Sequence, residues 1–129
     1  MRIDIKPNKK KKGFFTVIPR GPIDADTHDL FRSGFERLLK NSTKGVLVDL
    51  QHVDYISSAG FGVFFAIQSF LKKQKAELLF CHLKPQVLKL FNVMKMLPPE
   101  SIFNNLEEVD QYLLNVAKDE IKKQQENKD

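Results

Sequence analysis

Two short apolar runs constrain the fold of this chain more than any other feature. Val46 to Leu50 is interrupted only by Asp49, and Leu78 to Leu83 is a second run of the same kind. Strands that are covered on both faces have this composition, because neither face meets water. Segments with helical spacing separate the runs. Strands that alternate with helices predict an α/β fold with a mostly parallel sheet.

The N-terminal part of the chain predicts a β-hairpin that precedes the parallel strands. Ile3 and Ile5 alternate with polar residues, and the run from Phe14 to Ile18 is rich in aromatic and β-branched residues. Residues 7–13 contain Pro, Asn, Gly and four consecutive lysines, a composition typical of a turn. We expect residues 19–22 to end the second strand, because their two prolines have no N–H for a ladder.

Apolar residues at helical spacing predict four helices after the hairpin. The first helix is expected to have its N-cap at Asp24, Asp26 or Thr27 and to end near Lys40, and the second to start at Ser57 and Ser58 and to end near Lys73. The third should start at Pro85 and end at Pro98 and Pro99. The fourth should start with a capping box from Asn105 to Glu108 and continue with the apolar residues Val109, Tyr112, Leu113 and Val116. A short strand at 101–103 is expected between the last two helices.

The length of the chain allows one compact domain. It has 129 residues, of which 42% are apolar and 29% are charged, the balance of an ordinary globular protein. We predict a single domain over residues 1–117 and a charged tail over 118–129, either a frayed helix or disordered. The longest apolar stretch, Ala59 to Leu71, is shorter than the roughly 20 residues that cross a bilayer.

Charge and cysteine content indicate a cytoplasmic protein without a nucleic-acid partner. The net charge is +5, and the run Lys9 to Lys12 supplies four of those five units, so no broad basic surface is expected. The single cysteine, Cys81, has no second cysteine in the chain with which to form a disulfide. The first residues alternate with charge and do not resemble a secretory signal.

The segment from Asp49 to Gly62 contains the most functional information. A strand ends there, and a helix begins with two serines and two glycines. The first N–H groups of a helix lack intrahelical partners, and the helix dipole favours negative charge at that end. A phosphate on a serine there would add about −1.5 to −2 charge where the helix tolerates it. The simpler interpretation is that Ser58 only caps the helix.

Three segments make the chain resemble the STAS-domain family, which includes bacterial anti-sigma factor antagonists. The first is Asp54-Tyr55-Ile56-Ser57-Ser58-Ala59-Gly60-Phe61-Gly62, similar to the family's serine motif at a helix start. The second is Gly21-Pro22-Ile23-Asp24 with Thr27, and the third runs from Cys81 through Pro85 to Phe91. The three segments occur in the family's order, and the resemblance covers roughly residues 3 to 116.

The resemblance implies a phosphorylation switch at Ser58. In antagonists of this family the serine before the Ser/Ala-Gly pair is phosphorylated by an anti-sigma factor that is also a serine kinase of the histidine-kinase-like ATPase type. The unmodified form binds that factor, the phosphorylated form releases it, and a serine phosphatase resets the switch. The best-studied antagonists have an acid where this chain has Ser57, so Ser57 is the second choice as acceptor. Asp24 either borders the acceptor or only caps a helix.

Helical spacing separates two faces of the second helix. Gly60, Val63, Phe64, Ile67, Phe70 and Leu71 share the face that we expect to pack on the sheet. Phe61 and Phe65 fall on another face, where they are either exposed interface anchors or covered by a neighbouring helix. The predicted partner-binding residues are Ser57, Ala59, Gly60, Phe61, Phe65 and Asp24.

No enzymatic motif or cofactor loop is present, and we predict neither a catalytic residue nor a cofactor. His28, His52 and His82 are too far apart in sequence for a metal motif, so no metal site is expected. Cys81 and His82 are adjacent on a predicted strand and should point to opposite faces. Two alternatives to the switch remain. One is a non-phosphorylated subunit of a stress-signalling scaffold or lipid-transport assembly, and the other is a nucleic-acid or membrane-surface binder through Lys9 to Lys12.

Overall fold

The strands and helices alternate along the chain after an N-terminal hairpin. The computed structural model describes residues 1–95 and 101–115. Its strands are β1 (Arg2–Pro7), β2 (Phe14–Arg20), β3 (Gly45–Asp49), β4 (Glu77–Cys81) and β5 (Ile102–Phe103). Its helices are α1 (His28–Glu36), α2 (Ser58–Lys73) and α3 (Pro85–Met94). Residues 106–115 are also helical and are called α4 here.

The five strands form one sheet in the order β1-β2-β3-β4-β5. β1 pairs antiparallel with β2, and every later pair is parallel. This arrangement confirms the predicted α/β fold with an N-terminal hairpin, a mostly parallel sheet and four helices. In the β3–β4 pair Asp49 lies opposite Cys81, so the carboxyl ends of these two strands are level.

Each face of the sheet has its own apolar core. The larger core lies between the sheet and α1, α2 and α3, with Phe64 near its centre. The ring of Phe64 packs edge-on against Phe31 and Phe80, each at 5.2 Å between centroids. The smaller core lies on the opposite face beneath α4 and consists of Phe14, Leu47, Leu79, Cys81, Val109 and Leu113.

The first helix is shorter than its sequence pattern predicts. α1 ends at Glu36, and the expectation that it reaches Lys40 is wrong. The hydroxyl of Thr43 donates to the Leu38 carbonyl at 2.6 Å, and the amide of Gln74 donates to the carbonyls of Lys40 and Thr43, both at 2.8 Å. Because side chains satisfy these carbonyl groups, the chain turns toward β3 without completing the helix.

Two strand ends also differ from the predictions. β2 continues through Pro19 to Arg20. Pro19 pairs with Ile3 of β1 but lies beyond the last residue of β2 that pairs with β3, so its missing N–H costs no hydrogen bond to β3. β4 ends at Cys81, not Leu83, because His82 adopts a φ of 56° that breaks the extended backbone.

Several features agree with the predictions, and others fall outside the described residues. α2 ends at Lys73, Pro85 is the first residue of α3, and the side chain of Asn105 accepts from the Glu108 N–H at 2.9 Å, as the capping box predicts. The expected helix end at Pro98 and Pro99, Val116 and the tail 118–129 lie outside the described residues. No helix among residues 1–95 and 101–115 has the length and apolar character needed to span a membrane.

Backbone hydrogen bonds join the loop before α1 to the loop before α2. The N–H of Ile23 donates to the Tyr55 carbonyl at 3.0 Å, and the N–H of Ser57 donates to the Ile23 carbonyl at 2.8 Å. Gly21 adds a third bond to the His52 carbonyl at 3.1 Å. This loop pairing sets where α2 begins.

Gly60 lets the first turn of α2 approach this loop pairing closely. A Cβ at Gly60 would lie 2.7 Å from the carbonyl oxygen of Ile23 and 2.9 Å from Cγ2 of Ile56. Contacts under 3.0 Å with a backbone atom force the backbone to move. A Cβ at Gly62, on the exposed side of the same helix, would meet no atom within 4 Å.

We expect Gly60→Ala to lower the free energy of unfolding by about 1–3 kcal/mol, because the added methyl overpacks the contact with Ile23. Gly62→Ala is the matched control and should raise it by up to about 1 kcal/mol, since alanine is the better helix former. Urea denaturation followed by circular dichroism measures both. Equal stabilities for the two variants would show that the close approach at Gly60 is not required.

Candidate functional site

The two serines occupy different positions at the start of α2. Ser57 is the N-cap, and its hydroxyl oxygen accepts from the Gly60 N–H at 3.3 Å. Ser58 is the first residue of the helix and is exposed. The simpler interpretation of Ser58 as the cap is therefore wrong, because Ser57 takes that role. The Ser58 hydroxyl lies at the helix end where unpaired N–H groups and the helix dipole favour an anion.

Ser58 begins an exposed stripe along α2, formed by Ser58, Gly62, Phe65 and Ser69. At 3.6 residues per turn these four positions lie within about 60° of one another around the helix axis. Phe65 is 37% exposed, a large fraction for a phenylalanine, and lies two turns from Ser58. Gly62 leaves the backbone between them bare. The α2 stripe thus combines a modifiable hydroxyl with an exposed aromatic ring.

Phe61 is not part of this stripe. It is 2% exposed and packs edge-on against Phe91 of α3, with the ring centroids 5.3 Å apart. Of the two alternatives for Phe61, coverage by a neighbouring helix is correct, and the expectation that it is an exposed anchor is wrong. The reason is that α3 lies against the first turns of α2. Gly60 is also buried, so it contributes packing and not a contact surface, whereas Ala59 is half-buried.

Asp24 lies in the loop that pairs with the start of α2. Its Oδ1 accepts from the backbone N–H groups of Asp26 at 2.9 Å and of Thr27 at 3.1 Å. The carboxylate therefore organises the turn before α1. The N-cap of that helix is Thr27, so the alternative in which Asp24 caps the helix is wrong. The residue before it, Ile23, forms a parallel bridge with Ile56. That bridge brings the Asp24 turn next to Ser57, at the carboxyl end of β3.

An ion pair joins the loops that follow β3 and β4. Asp54, before the serines, accepts a hydrogen bond from the Lys84 ammonium at the start of α3. Both side chains are substantially exposed, so the pair adds little stability. It places one negative and one positive charge beside the start of α2.

The structure brings together three side chains that the sequence analysis kept apart. The Nδ1 atom of His82 lies 3.0 Å from Oδ1 of Asp49 and 3.7 Å from Sγ of Cys81. The expectation that Cys81 and His82 point to opposite faces is wrong, because β4 ends at Cys81 and the left-handed backbone of His82 turns the ring back. The sequence feature that could have indicated this cluster is Asp49, a charged residue inside an apolar run.

Burial controls the chemistry of Cys81. The thiol is fully buried in the smaller core, and this burial, with a further contribution from the charge of Asp49, raises its pKa to about 12. The predicted core position of Cys81 is confirmed. Asp49 is also buried, and its carboxylate accepts from the backbone N–H of Gln51 at 3.1 Å and from the Gln51 amide at 2.8 Å.

The lysine run lies in the hairpin turn between β1 and β2. The N–H groups of Lys10 and Lys11 donate to Oδ1 of Asn8, which folds the turn, and Lys11 Nζ lies 4.6 Å from the centroid of the Phe14 ring. The turn therefore precedes β2 at its N-terminal end, whereas the serines follow β3 at its C-terminal end. The lysines and the serines do not form one site.

Comparison with known proteins agrees with this architecture. The STAS-domain family model matches residues 6–109. BtrV of Bordetella bronchiseptica, a candidate anti-sigma factor antagonist, is 26% identical over 98 residues, which cover 76% of this chain and 84% of BtrV.

Solved structures share the fold at low sequence identity. A candidate anti-sigma factor antagonist of Thermotoga maritima superposes with a TM-score of 0.76 at 14% identity, covering 85% of this chain and 92% of that one. The anti-sigma factor antagonist SpoIIAA of Bacillus superposes in its unphosphorylated form with a TM-score of 0.71 at 11% identity, covering 86% of this chain and 96% of that one. Its phosphorylated form superposes with a TM-score of 0.67 at 10% identity, covering 86% of this chain and 99% of that one. Since the family model spans most of the described domain, this chain belongs to the STAS-domain family.

Proposed function

We propose that this chain is an anti-sigma factor antagonist that works as a phosphorylation-switched binding module. It binds an anti-sigma factor when Ser58 is unphosphorylated and releases that factor when Ser58 carries phosphate. The observation that carries the proposal is the exposed Ser58 hydroxyl at the first position of α2, at one end of the α2 stripe. The names of BtrV and SpoIIAA, and the existence of SpoIIAA in two phosphorylation states, support the same role.

The position of Ser58 fits a switch that changes binding without unfolding the domain. The N–H groups of the first helical turn and the helix dipole stabilise a phosphate, so the modified domain keeps its fold. The same phosphate puts a dianion on the face that would meet a partner. An unpaired charge that must be desolvated there costs about 2–5 kcal/mol of binding free energy.

The proposed partners are those that the resemblance to the family's antagonists implies. They are an anti-sigma factor that is also a serine kinase of the histidine-kinase-like ATPase type, and a serine phosphatase that removes the phosphate. Both act on the exposed serine, so the chain itself is a substrate and needs no catalytic residues or cofactor. We place this set of partners, and therefore the chain, in the cytoplasm.

Separate replacement of the two serines should distinguish capping from phosphorylation. Ser57→Ala is expected to lower the free energy of unfolding by about 1 kcal/mol, because it removes the N-cap, and to leave phosphate incorporation intact. Ser58→Ala should leave the stability within about 0.5 kcal/mol of wild type and abolish incorporation. Urea denaturation and phosphopeptide mass spectrometry, after incubation with the cognate kinase and ATP, measure the two effects. Phosphate at residue 57 in both wild type and Ser58→Ala would move the acceptor to Ser57.

A charge at Ser58 should prevent partner binding. Ser58→Asp is expected to remain folded and to weaken binding of the anti-sigma factor by about 30-fold or more, as a loss of about 2 kcal/mol implies. Ser42→Asp is the matched control, because Ser42 is exposed in the loop before β3, at the opposite end of the sheet. Titration calorimetry measures both affinities. Unchanged binding by Ser58→Asp would contradict the switch.

Phe65 should anchor the partner without supporting the fold. Phe65→Ala is expected to weaken binding by about tenfold or more, as for an interface aromatic, and to change the free energy of unfolding by less than about 1 kcal/mol. Leu114→Ala is the control, since Leu114 is also an exposed apolar residue, at 50% against 37% for Phe65, and lies on α4, which covers the opposite face of the sheet. Phe61→Ala is unsuitable for this test, because removal of a buried ring costs about 3–5 kcal/mol of stability. Equal binding by Phe65→Ala and Leu114→Ala would remove the α2 stripe from the interface.

Recovery of partners from the source cells tests the function as a whole. A tagged chain should capture a histidine-kinase-like ATPase, and addition of ATP should release that protein and place phosphate on Ser58. Capture of a transport or scaffold subunit, with both serines unmodified, would favour the non-phosphorylated alternative. Salt-sensitive binding to nucleic acid or anionic vesicles that disappears when Lys9 to Lys12 are neutralised would favour the third alternative.

A further inference from the structure

We propose that Asp49, Cys81 and His82 form a Zn²⁺ site at the carboxyl ends of β3 and β4. One carboxylate oxygen, one sulfur and one ring nitrogen lie within 4.8 Å of one another, and they come from two adjacent strand ends. The proposal is independent of the phosphorylation switch, because none of the three residues lies on the α2 stripe.

Two of the three separations between the ligand atoms fit a tetrahedral zinc ion. Zn–S bonds of about 2.3 Å and Zn–N and Zn–O bonds of about 2.1 Å separate tetrahedral ligands by about 3.4 Å for nitrogen and oxygen, and by about 3.6 Å for nitrogen and sulfur. In the structure Nδ1 of His82 lies 3.0 Å from Oδ1 of Asp49 and 3.7 Å from Sγ of Cys81. Both separations agree with the tetrahedral values to within about 0.4 Å. The oxygen and sulfur lie within 4.8 Å of each other and would approach to about 3.6 Å around the ion.

The chemistry of the three ligands favours Zn²⁺ over a hard cation. Sulfur and imidazole nitrogen are ligands that zinc prefers, whereas Mg²⁺ and Ca²⁺ prefer oxygen alone. On binding, the Cys81 sulfur loses its proton to solvent, and the His82 ring coordinates through the Nδ1 lone pair with its proton on Nε2. The charge of +2 on the ion is then balanced by one carboxylate and one thiolate. The buried group is neutral overall, which avoids the cost of an unpaired charge.

The surroundings leave the site both supported and accessible. Asp49 is held by Gln51, whose side-chain amide donates to Oδ2 and whose backbone N–H donates to Oδ1. Oδ1 can keep this backbone bond while it exchanges its contact with His82 for the ion. The side chain of Asp49 is 4% exposed and that of His82 is 28% exposed, which provides an entrance from the His82 side. Three protein ligands leave the fourth zinc position to water.

Titration of the tag-free, reduced full chain with Co²⁺ tests the site, because Co²⁺ substitutes for Zn²⁺ and reports its ligands optically. We expect one equivalent to bind, with a thiolate-to-cobalt charge-transfer band in the near ultraviolet and strong tetrahedral bands in the visible. Zn²⁺ should displace the cobalt, abolish these bands and raise the melting temperature. Absence of the charge-transfer band at saturating Co²⁺, with no rise in melting temperature on addition of Zn²⁺, would overturn the proposal.

Two variants with one matched control assign the ligands. His82→Asn keeps a residue that tolerates the left-handed backbone, and it should weaken Zn²⁺ binding by at least about 100-fold. Cys81→Ser, with circular dichroism to verify folding, should remove the charge-transfer band. His52→Asn replaces an exposed histidine outside the cluster and should bind like wild type. Equal weakening by His52→Asn and His82→Asn, or a band that survives in Cys81→Ser, would place the metal elsewhere.

Discussion

The close contact between Gly60 and Ile23 sets the position of α2 and of everything that α2 presents. The first turn of α2 rests on the backbone of Ile23, with no space for even one Cβ, and the same Ile23 bonds to Tyr55 and Ser57 on either side of Ile56. The loops before α1 and α2 therefore act as one unit. This unit places the Asp24 turn, the Ser57 cap and the exposed Ser58 at one edge of the sheet.

A helix start that is held in this way suits a charge-based switch. The cap is supplied by Ser57 and the loop bonds by the backbone, so the Ser58 hydroxyl has no part in holding the helix. A group without a structural role can be modified at little cost to the fold. The buried surface of α2 packs in the aromatic core around Phe64, and the α2 stripe lies on the exposed side of the helix.

A second group of polar side chains lies at the carboxyl ends of β3 and β4. Parallel strands in level register bring Asp49 and Cys81 side by side, and the left-handed backbone of His82 closes the cluster. The loop after β3 continues through Asp54 to the serines, and the Asp54–Lys84 ion pair ties it to the loop after β4. A metal ion at the cluster would join the ends of the same two strands a second time, on the face of the sheet that α4 covers.

The sequence by itself determined the element order, the parallel sheet behind a hairpin and the serine position at a helix start. These follow from local periodicity and turn chemistry, which each segment carries alone. It did not determine that Phe61 is covered, that Ser57 is the cap, that α1 stops at Glu36, or that His82 turns back toward Cys81 and Asp49. Those outcomes depend on contacts between segments far apart in the chain, such as Phe91 on Phe61 and Gln74 on Lys40. Only the tertiary structure decides such contacts, because helical and strand periodicity assign a side chain to a face without specifying which neighbour will cover it.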